Sequence, residues 1–217
     1  MDGFRLCLAL GPLTVYLLVL ACINLSKRPF LVSGARDLTA LGVGVSGMVL
    51  VGPVELLLPE QAIYAYQGYV WLLLLVMYSL SVSLAALLTR PRLTIYNFTA
   101  ERLRPLLADV LDELDAEARW AGASLSLPKL DVEFFIESSP ALKNVSLVAT
   151  GAEQSFAGWK RLQQSLAGRL RAAESPANAW GVVLALSCFV LAACVGWQVV
   201  LNPQAVTSGF RQMLRLF

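Results

Sequence analysis

The chain has 217 residues, of which 57% are hydrophobic and only 15% are charged, whereas about a quarter of the residues in a soluble domain are charged. A formal net charge of +2 gives no basic surface for nucleic acid, and the chain contains no histidine, the commonest general base and metal ligand. The composition predicts an α-helical integral membrane protein whose apolar residues form spans of about 20 residues.

The first predicted transmembrane helix covers about residues 6–25. The alternative is a lipoprotein signal with Cys22 as the lipidated residue. Such a signal needs a positively charged N-terminal segment, but here the negative charge of Asp2 offsets the positive charge of Arg5. All four cysteines of the chain lie inside apolar segments, which favours helix packing over a disulfide framework or a zinc site.

A short basic loop at residues 26–37 leads to the second predicted helix, at about residues 38–58. Small residues repeat here at four-residue spacing, as Ala40 with Gly44 and Gly42 with Ser46. Such faces permit close helix packing, either within one chain or in a homo-oligomer.

Glu55 is the only acidic residue inside an apolar segment, and intramembrane carboxylates are candidate functional groups. It lies about one turn from the end of its helix, so the alternative is a carboxylate that reaches the headgroup region. Gln198 lies at a similar depth in the last predicted helix, and an intramembrane contact between Glu55 and Gln198 is a hypothesis.

The third predicted helix covers about residues 63–88, and the fourth about residues 180–201. Cys188, Ala192 and Gly196 form a second ridge of small residues on the fourth helix. Residues 202–217 follow as an amphipathic helix at the interface or as a disordered tail. The predicted organisation is a membrane region at 1–92, a soluble domain at 93–174, and a final span with its tail at 175–217.

Residues 93–174 predict a small α+β domain of order β-α-β-β-β-α, inserted between helices 3 and 4. Alternating apolar residues predict strands at 93–98, 124–127, 130–137 and 144–150. Helical spacing predicts one helix after Thr99 and another at about 154–173. The first has its apolar stripe at Leu103, Leu106, Leu107, Val110, Leu111, Leu114 and Ala118, and the second at Phe156, Trp159, Leu162, Leu166 and Leu170. An antiparallel sheet with both helices on one side is the simplest fold.

No catalytic set is visible in the predicted domain, and no cofactor or metal is predicted. The acidic residues from Asp109 to Glu117 are read as the charged face of a helix, and Asp112 with Asp115 supplies too few ligands for a hard cation. Glu133 and Glu137 share one strand face, and we interpret them as solvated carboxylates.

Four cations of the last predicted domain helix point to the membrane surface, where each is worth about 1 kcal/mol near anionic lipid. They are Lys160, Arg161, Arg169 and Arg171. We predict that they contact lipid headgroups.

Basic residues flank the apolar segments on one side, which predicts that side to be cytoplasmic. They are Lys27, Arg28 and Arg36 in the first loop, and Arg90 and Arg92 after the third helix. Residues 93–174 are therefore predicted to be cytoplasmic in a multi-pass cell-membrane protein with both termini outside. The predicted function is a non-enzymatic interaction or regulatory protein with a protein or homo-oligomeric partner. The alternative is a subunit of an oligomeric transporter or channel that uses Glu55.

Overall fold

The computed structural model describes residues 3–54, 68–140, 142–151, 154–201, 203, 204 and 207. Three of the described helices are long and apolar enough to cross a membrane. They are α1 (Gly3–Leu25), α2 (Gly34–Val49, continued as a π-helical turn at Leu50–Val54) and α6 (Ala179–Leu201). Helix α3 (Gly68–Leu88) contains a shorter apolar stretch, Leu72–Leu88. The prediction of long apolar helices is confirmed for these three segments, and their length and composition are compatible with membrane spans.

The remaining elements form an α+β unit with one antiparallel sheet. Its strands are β1 (Phe30–Ser33), β2 (Arg92–Tyr96), β3 (Arg119–Ala121), β4 (Ser124–Leu127), β5 (Val132–Ser139) and β6 (Asn144–Ala149). Their order across the sheet is β1-β2-β6-β5-β4-β3, and every pair is antiparallel. Two helices accompany them, α4 (Ala100–Leu114) and α5 (Phe156–Ala172). The predicted sheet with its two helices is confirmed, and β1 and β3 are additional strands.

Strand β1 lies in the segment that the sequence predicts as a loop. It pairs with β2 in the register Phe30 to Tyr96, and α2 begins immediately afterwards at Gly34 rather than at residue 38. The hydroxyl of Tyr96 donates to Asp37 at 2.7 Å, which fastens the first turn of α2 to β2. The sheet therefore takes a strand from the chain between α1 and α2 as well as from the predicted domain. Strand β1 is short and lacks a polar-apolar alternation, so its sequence gives no periodic signal. Its pairing with β2 is what defines it as a strand.

The hydrophobic core lies between one face of the sheet and the two helices. Alternate residues of the strands are buried in it, as expected for the period of two in a strand. The largest fully buried side chains include Phe134, Ile95, Leu103, Leu107, Leu162 and Leu166. The Phe134 and Trp159 rings lie with centroids 5.9 Å apart, within the range of favourable aromatic pairs.

Helix α4 ends earlier than its apolar stripe predicts. The stripe extends to Ala118, but the helix ends at Leu114, and Arg119–Ala121 forms β3. Asp115 is 2% exposed, and its carboxylate accepts hydrogen bonds at 2.9 Å from the backbone N–H groups of Glu117 and Lys129. The buried carboxylate satisfies these donors in the turn after the helix. The interpretation of Asp115 as part of an exposed acidic face is wrong.

Helix α5 begins at an N-cap formed by Ser155, whose hydroxyl accepts from the N–H of Gly158 at 3.2 Å. Four predicted core residues of this helix, from Trp159 to Leu170, are buried. Phe156 is 84% exposed, which contradicts its predicted place on the inner face. It occupies the first helical position, before the helix makes its close approach to the sheet at Gly158.

Contacts divide the chain into two compact units, residues 1–20, 38–87 and 183–217 in one, and residues 21–37 and 88–182 in the other. In the first unit, a glycine face of α2 packs against α1 and α3. A Cβ on Gly42 would lie 2.7 Å from Val82, one on Gly44 would lie 2.8 Å from Tyr16, and one on Gly47 would overlap the carbonyl oxygen of Leu8. These three glycines of α2 therefore serve packing within the chain.

Candidate functional site at a polar clasp

Four buried polar residues in the second unit lie where the chain leaves α1, ends β2 and enters α6. We call them the polar clasp: Asn24, Asn97, Ser175 and Asn178, all no more than 6% exposed. Buried polar groups require hydrogen-bond partners, so such a cluster specifies how chain segments meet.

Asn178 makes the most connections in the clasp. Its Nδ2 donates to Oδ1 of Asn24 at 3.2 Å and to the carbonyl of Leu142 at 2.7 Å, and its backbone N–H donates to the Asn24 carbonyl at 2.9 Å. Its Oδ1 accepts from the N–H of Trp180 at 3.3 Å, in the geometry of a helix N-cap. The Asn178 side chain thus hydrogen-bonds to the end of α1, to the turn before β6 and to the start of α6.

Two further bonds connect the chain after α1 to the sheet and to the approach to α6. Asn97 has a φ of 57°, a left-handed conformation that asparagine tolerates, and its Nδ2 donates to the Ser26 carbonyl at 2.6 Å. The N–H of Ser175 donates to the Lys27 carbonyl at 2.9 Å. The segments before and after the domain are therefore held side by side.

The backbones of α1 and α6 also approach closely at the clasp. A Cβ on Gly181 would lie 2.8 Å from Cγ of Leu25 and 3.0 Å from its backbone nitrogen. Only glycine permits this approach without displacing Leu25. The clasp therefore combines buried hydrogen bonds with a close contact between backbones.

A shallow cleft of about 270 Å³ lies beside the clasp. It is lined by Lys27, Arg102, Glu174, Ser175, Pro176 and Ala177, and we call these residues the cleft. Nη1 of Arg102 donates to the backbone carbonyl of Glu174 at 3.3 Å, which ties the first turn of α4 to the chain before α6. The cleft gathers two cations and one carboxylate next to the ends of two long apolar helices.

The four cations predicted to contact lipid are all exposed on α5. Arg169 forms an ion pair with Glu113 of α4, and both side chains remain about half exposed. An ion pair at such exposure contributes about 0–1 kcal/mol to stability. Lys160, Arg161 and Arg171 lie on the same helix, and the contact of all four with headgroups stays a prediction.

Only one residue of the predicted intramembrane pair lies among the described residues. Gln198 is half-buried on α6, whereas Glu55 lies outside the described residues. Asn24, near the end of α1, belongs to the clasp through its bond with Asn178.

The two carboxylates on one face of β5 lie at exposed positions. Glu133 accepts from the Ser126 hydroxyl at 3.0 Å across β4 and β5, and Glu137 is exposed on the same strand. Within the described part of the chain, no group of three or more Cys, Asp or Glu residues is placed to hold a metal ion.

The clasp was missed by sequence reasoning, although one signal pointed to it. Asparagine occurs at the end of one apolar segment and just before another, at Asn24 and Asn178, where a helix needs capping or polar termination. That signal does not tell which asparagine meets which.

Comparison of the chain with protein-family models, curated proteins and solved structures finds no match in any of the three.

Proposed function

We propose that the protein is a multi-pass membrane protein that acts without catalysis, as an interaction or regulatory module whose α+β unit faces the cytoplasm. The observation that carries this proposal is the clasp, in which Asn178 bonds to Asn24 and to Leu142. Because these residues belong to the end of α1, the start of α6 and a turn of the sheet unit, a partner that displaces the sheet also displaces the chain at both helix ends.

The proposed topology has four spans, with α3 as the third. Helix α3 has 21 residues, enough to cross the hydrocarbon core of a bilayer at about 1.5 Å per residue. The Lys and Arg residues at positions 27–36 and 90–92 support a cytoplasmic location for the sheet unit, and with four spans both termini would then lie outside. A reporter fused after Phe217 that reads as cytoplasmic would contradict this topology.

The proposed docking feature for a protein partner is Phe156. It is 84% exposed at the start of α5, where its ring contributes little to the core. Aromatic residues, phenylalanine among them, are enriched at protein interfaces relative to the rest of the surface. We propose that a partner covers this ring.

The test is copurification of the tagged full-length chain from its native membrane in mild detergent, with and without Phe156→Ser. A stoichiometric partner that is lost in the Phe156→Ser variant, but kept in Gln164→Ser at another exposed position of α5, supports the proposal. A homo-oligomer without other proteins, with ion flux that depends on Glu55, would instead support the transporter or channel subunit.

We further propose that the exposed cations of α5 attract anionic headgroups. Lys160, Arg161 and Arg171 are exposed, and Arg169 is half-exposed beside Glu113. Neutralising all four with glutamine should reduce the salt-sensitive part of the binding of the purified chain to anionic vesicles. Equal binding by the variant and the natural chain would contradict this contact.

A further inference from the structure

We propose that the cleft is a specific binding site for the phosphate group of an anionic membrane lipid. This inference goes beyond the proposed function and rests on it only in taking α1 and α6 as membrane spans. The cleft volume, about 270 Å³, lies just under the ~300–1,000 Å³ of pockets for drug-sized ligands. A headgroup fragment, of which only the phosphate needs to enter, matches such a shallow space.

The charges of the cleft favour an anion. Lys27 and Arg102 supply two positive charges, and Glu174 supplies one negative charge. Arg102 uses one N–H on the Glu174 carbonyl, and its guanidinium has five N–H groups in a planar fork that matches phosphate oxygens. A phosphate between Lys27 and Arg102 would therefore receive charge-assisted hydrogen bonds.

The position of the cleft along the chain favours a lipid over free phosphate. Lys27 follows the last residue of α1 by two positions, and Ala177 precedes the first residue of α6 by two positions. Two residues reach at most about 7 Å. Each headgroup layer of a bilayer is about 5–7 Å thick. If α1 and α6 lie in the membrane, the cleft therefore lies at the depth of the headgroups.

A bound phosphate would also act on the clasp. The N–H of Ser175 donates to the carbonyl of Lys27, so the two chain segments that line the cleft are already joined by one backbone bond. A ligand that bridges Lys27 and Arg102 adds a second connection between the end of α1 and α4. The cleft thus couples lipid composition to the geometry of the clasp.

The test is native mass spectrometry of the full-length chain in detergent, titrated with phosphatidylglycerol or with phosphatidylcholine. We expect one tightly bound phosphatidylglycerol that phosphatidylcholine does not replace, because the choline group of phosphatidylcholine would bring a further positive charge beside Lys27 and Arg102. Lys27→Gln and Arg102→Gln should each weaken this binding about fivefold, the usual effect of one cation near anionic lipid. Arg104→Gln, an exposed cation on the same helix as Arg102, is the matched control and should leave it unchanged.

Glu174→Gln provides the decisive variant, because Glu174 is the one acidic residue among the described residues that line the cleft. It should tighten phosphatidylglycerol binding, a gain that a misfolded protein does not produce. The proposal is overturned if Glu174→Gln weakens binding, or if Arg104→Gln weakens it as much as Arg102→Gln. Binding of inorganic phosphate at the cleft, without any preference for phosphatidylglycerol over phosphatidylcholine, would overturn the assignment to a lipid.

Discussion

The side-chain amide of Asn178 donates to the side-chain carbonyl of Asn24 at 3.2 Å, although 154 positions separate the two residues along the chain. Both are almost fully buried, and Asn178 also caps the first turn of α6. A buried pair of amides specifies one arrangement of the segments that carry it, since any other arrangement leaves polar groups without partners.

Asn178→Ala should lower the free energy of unfolding by about 2 kcal/mol, because it removes an N-cap and takes away one hydrogen-bond donor from the Leu142 carbonyl and one from Oδ1 of Asn24. Unfolding of the purified chain in detergent, followed by circular dichroism, measures the loss. Gln164→Ala, at an exposed position of α5, is the control. Equal stability of the two variants would show that the clasp does not stabilise the chain.

Asp115→Asn should lower the free energy of unfolding by about 2 kcal/mol, although the substitution is nearly isosteric. The carboxylate accepts two backbone N–H groups, one on each oxygen, and an amide would direct its own N–H groups at one of them. Asp112→Asn on the exposed face of α4 is the matched control and should change stability by no more than about 0.5 kcal/mol. The prediction fails if the two variants melt at the same temperature.

Two glycines of α5 should respond to alanine with opposite signs. A Cβ on Gly158 would overlap the carbonyl oxygen of Leu130 and lie 2.7 Å from Val132, so Gly158→Ala should destabilise the chain by about 1–3 kcal/mol. Gly168 has nothing within 4 Å of its Cβ position, and Gly168→Ala should stabilise the helix by up to about 1 kcal/mol. Thermal unfolding of both variants checks the signs, and a stabilising Gly158→Ala would rule out the close approach of α5 to the turn before β5.

Gly47→Ala should disrupt packing among the membrane helices, because its Cβ would overlap the Leu8 carbonyl of α1. Gly196→Ala, where nothing lies within 4 Å, should leave the monomer unchanged. The measurement is the midpoint of unfolding in detergent, together with oligomer mass from light scattering. Loss of an oligomer in Gly196→Ala with unchanged stability would support the predicted homo-oligomer through the small-residue ridge of α6. Unchanged stability in Gly47→Ala would contradict the contact between α1 and α2.

Local patterns were sufficient for much of the fold. The apolar segments predicted α1 and α6, and period-two alternation predicted β2, β4, β5 and β6 close to their observed bounds. The period of 3.6 predicted the buried side of α5 from Trp159 to Leu170. These features depend on residues a few positions apart, so composition and spacing determine them.

Other features were decided by contacts between distant parts of the chain. Strand β1 forms by pairing with β2. Asp115 is buried in the turn after α4, where its carboxylate accepts from backbone N–H groups. Asn178 connects several chain segments because Asn24 lies beside it. The same residues in another fold would read as a loop, a surface charge and a turn. The sequence by itself determined which segments are apolar, helical or extended. Only the tertiary structure decided which polar groups are removed from water together, because that pairing depends on where segments far apart in sequence meet.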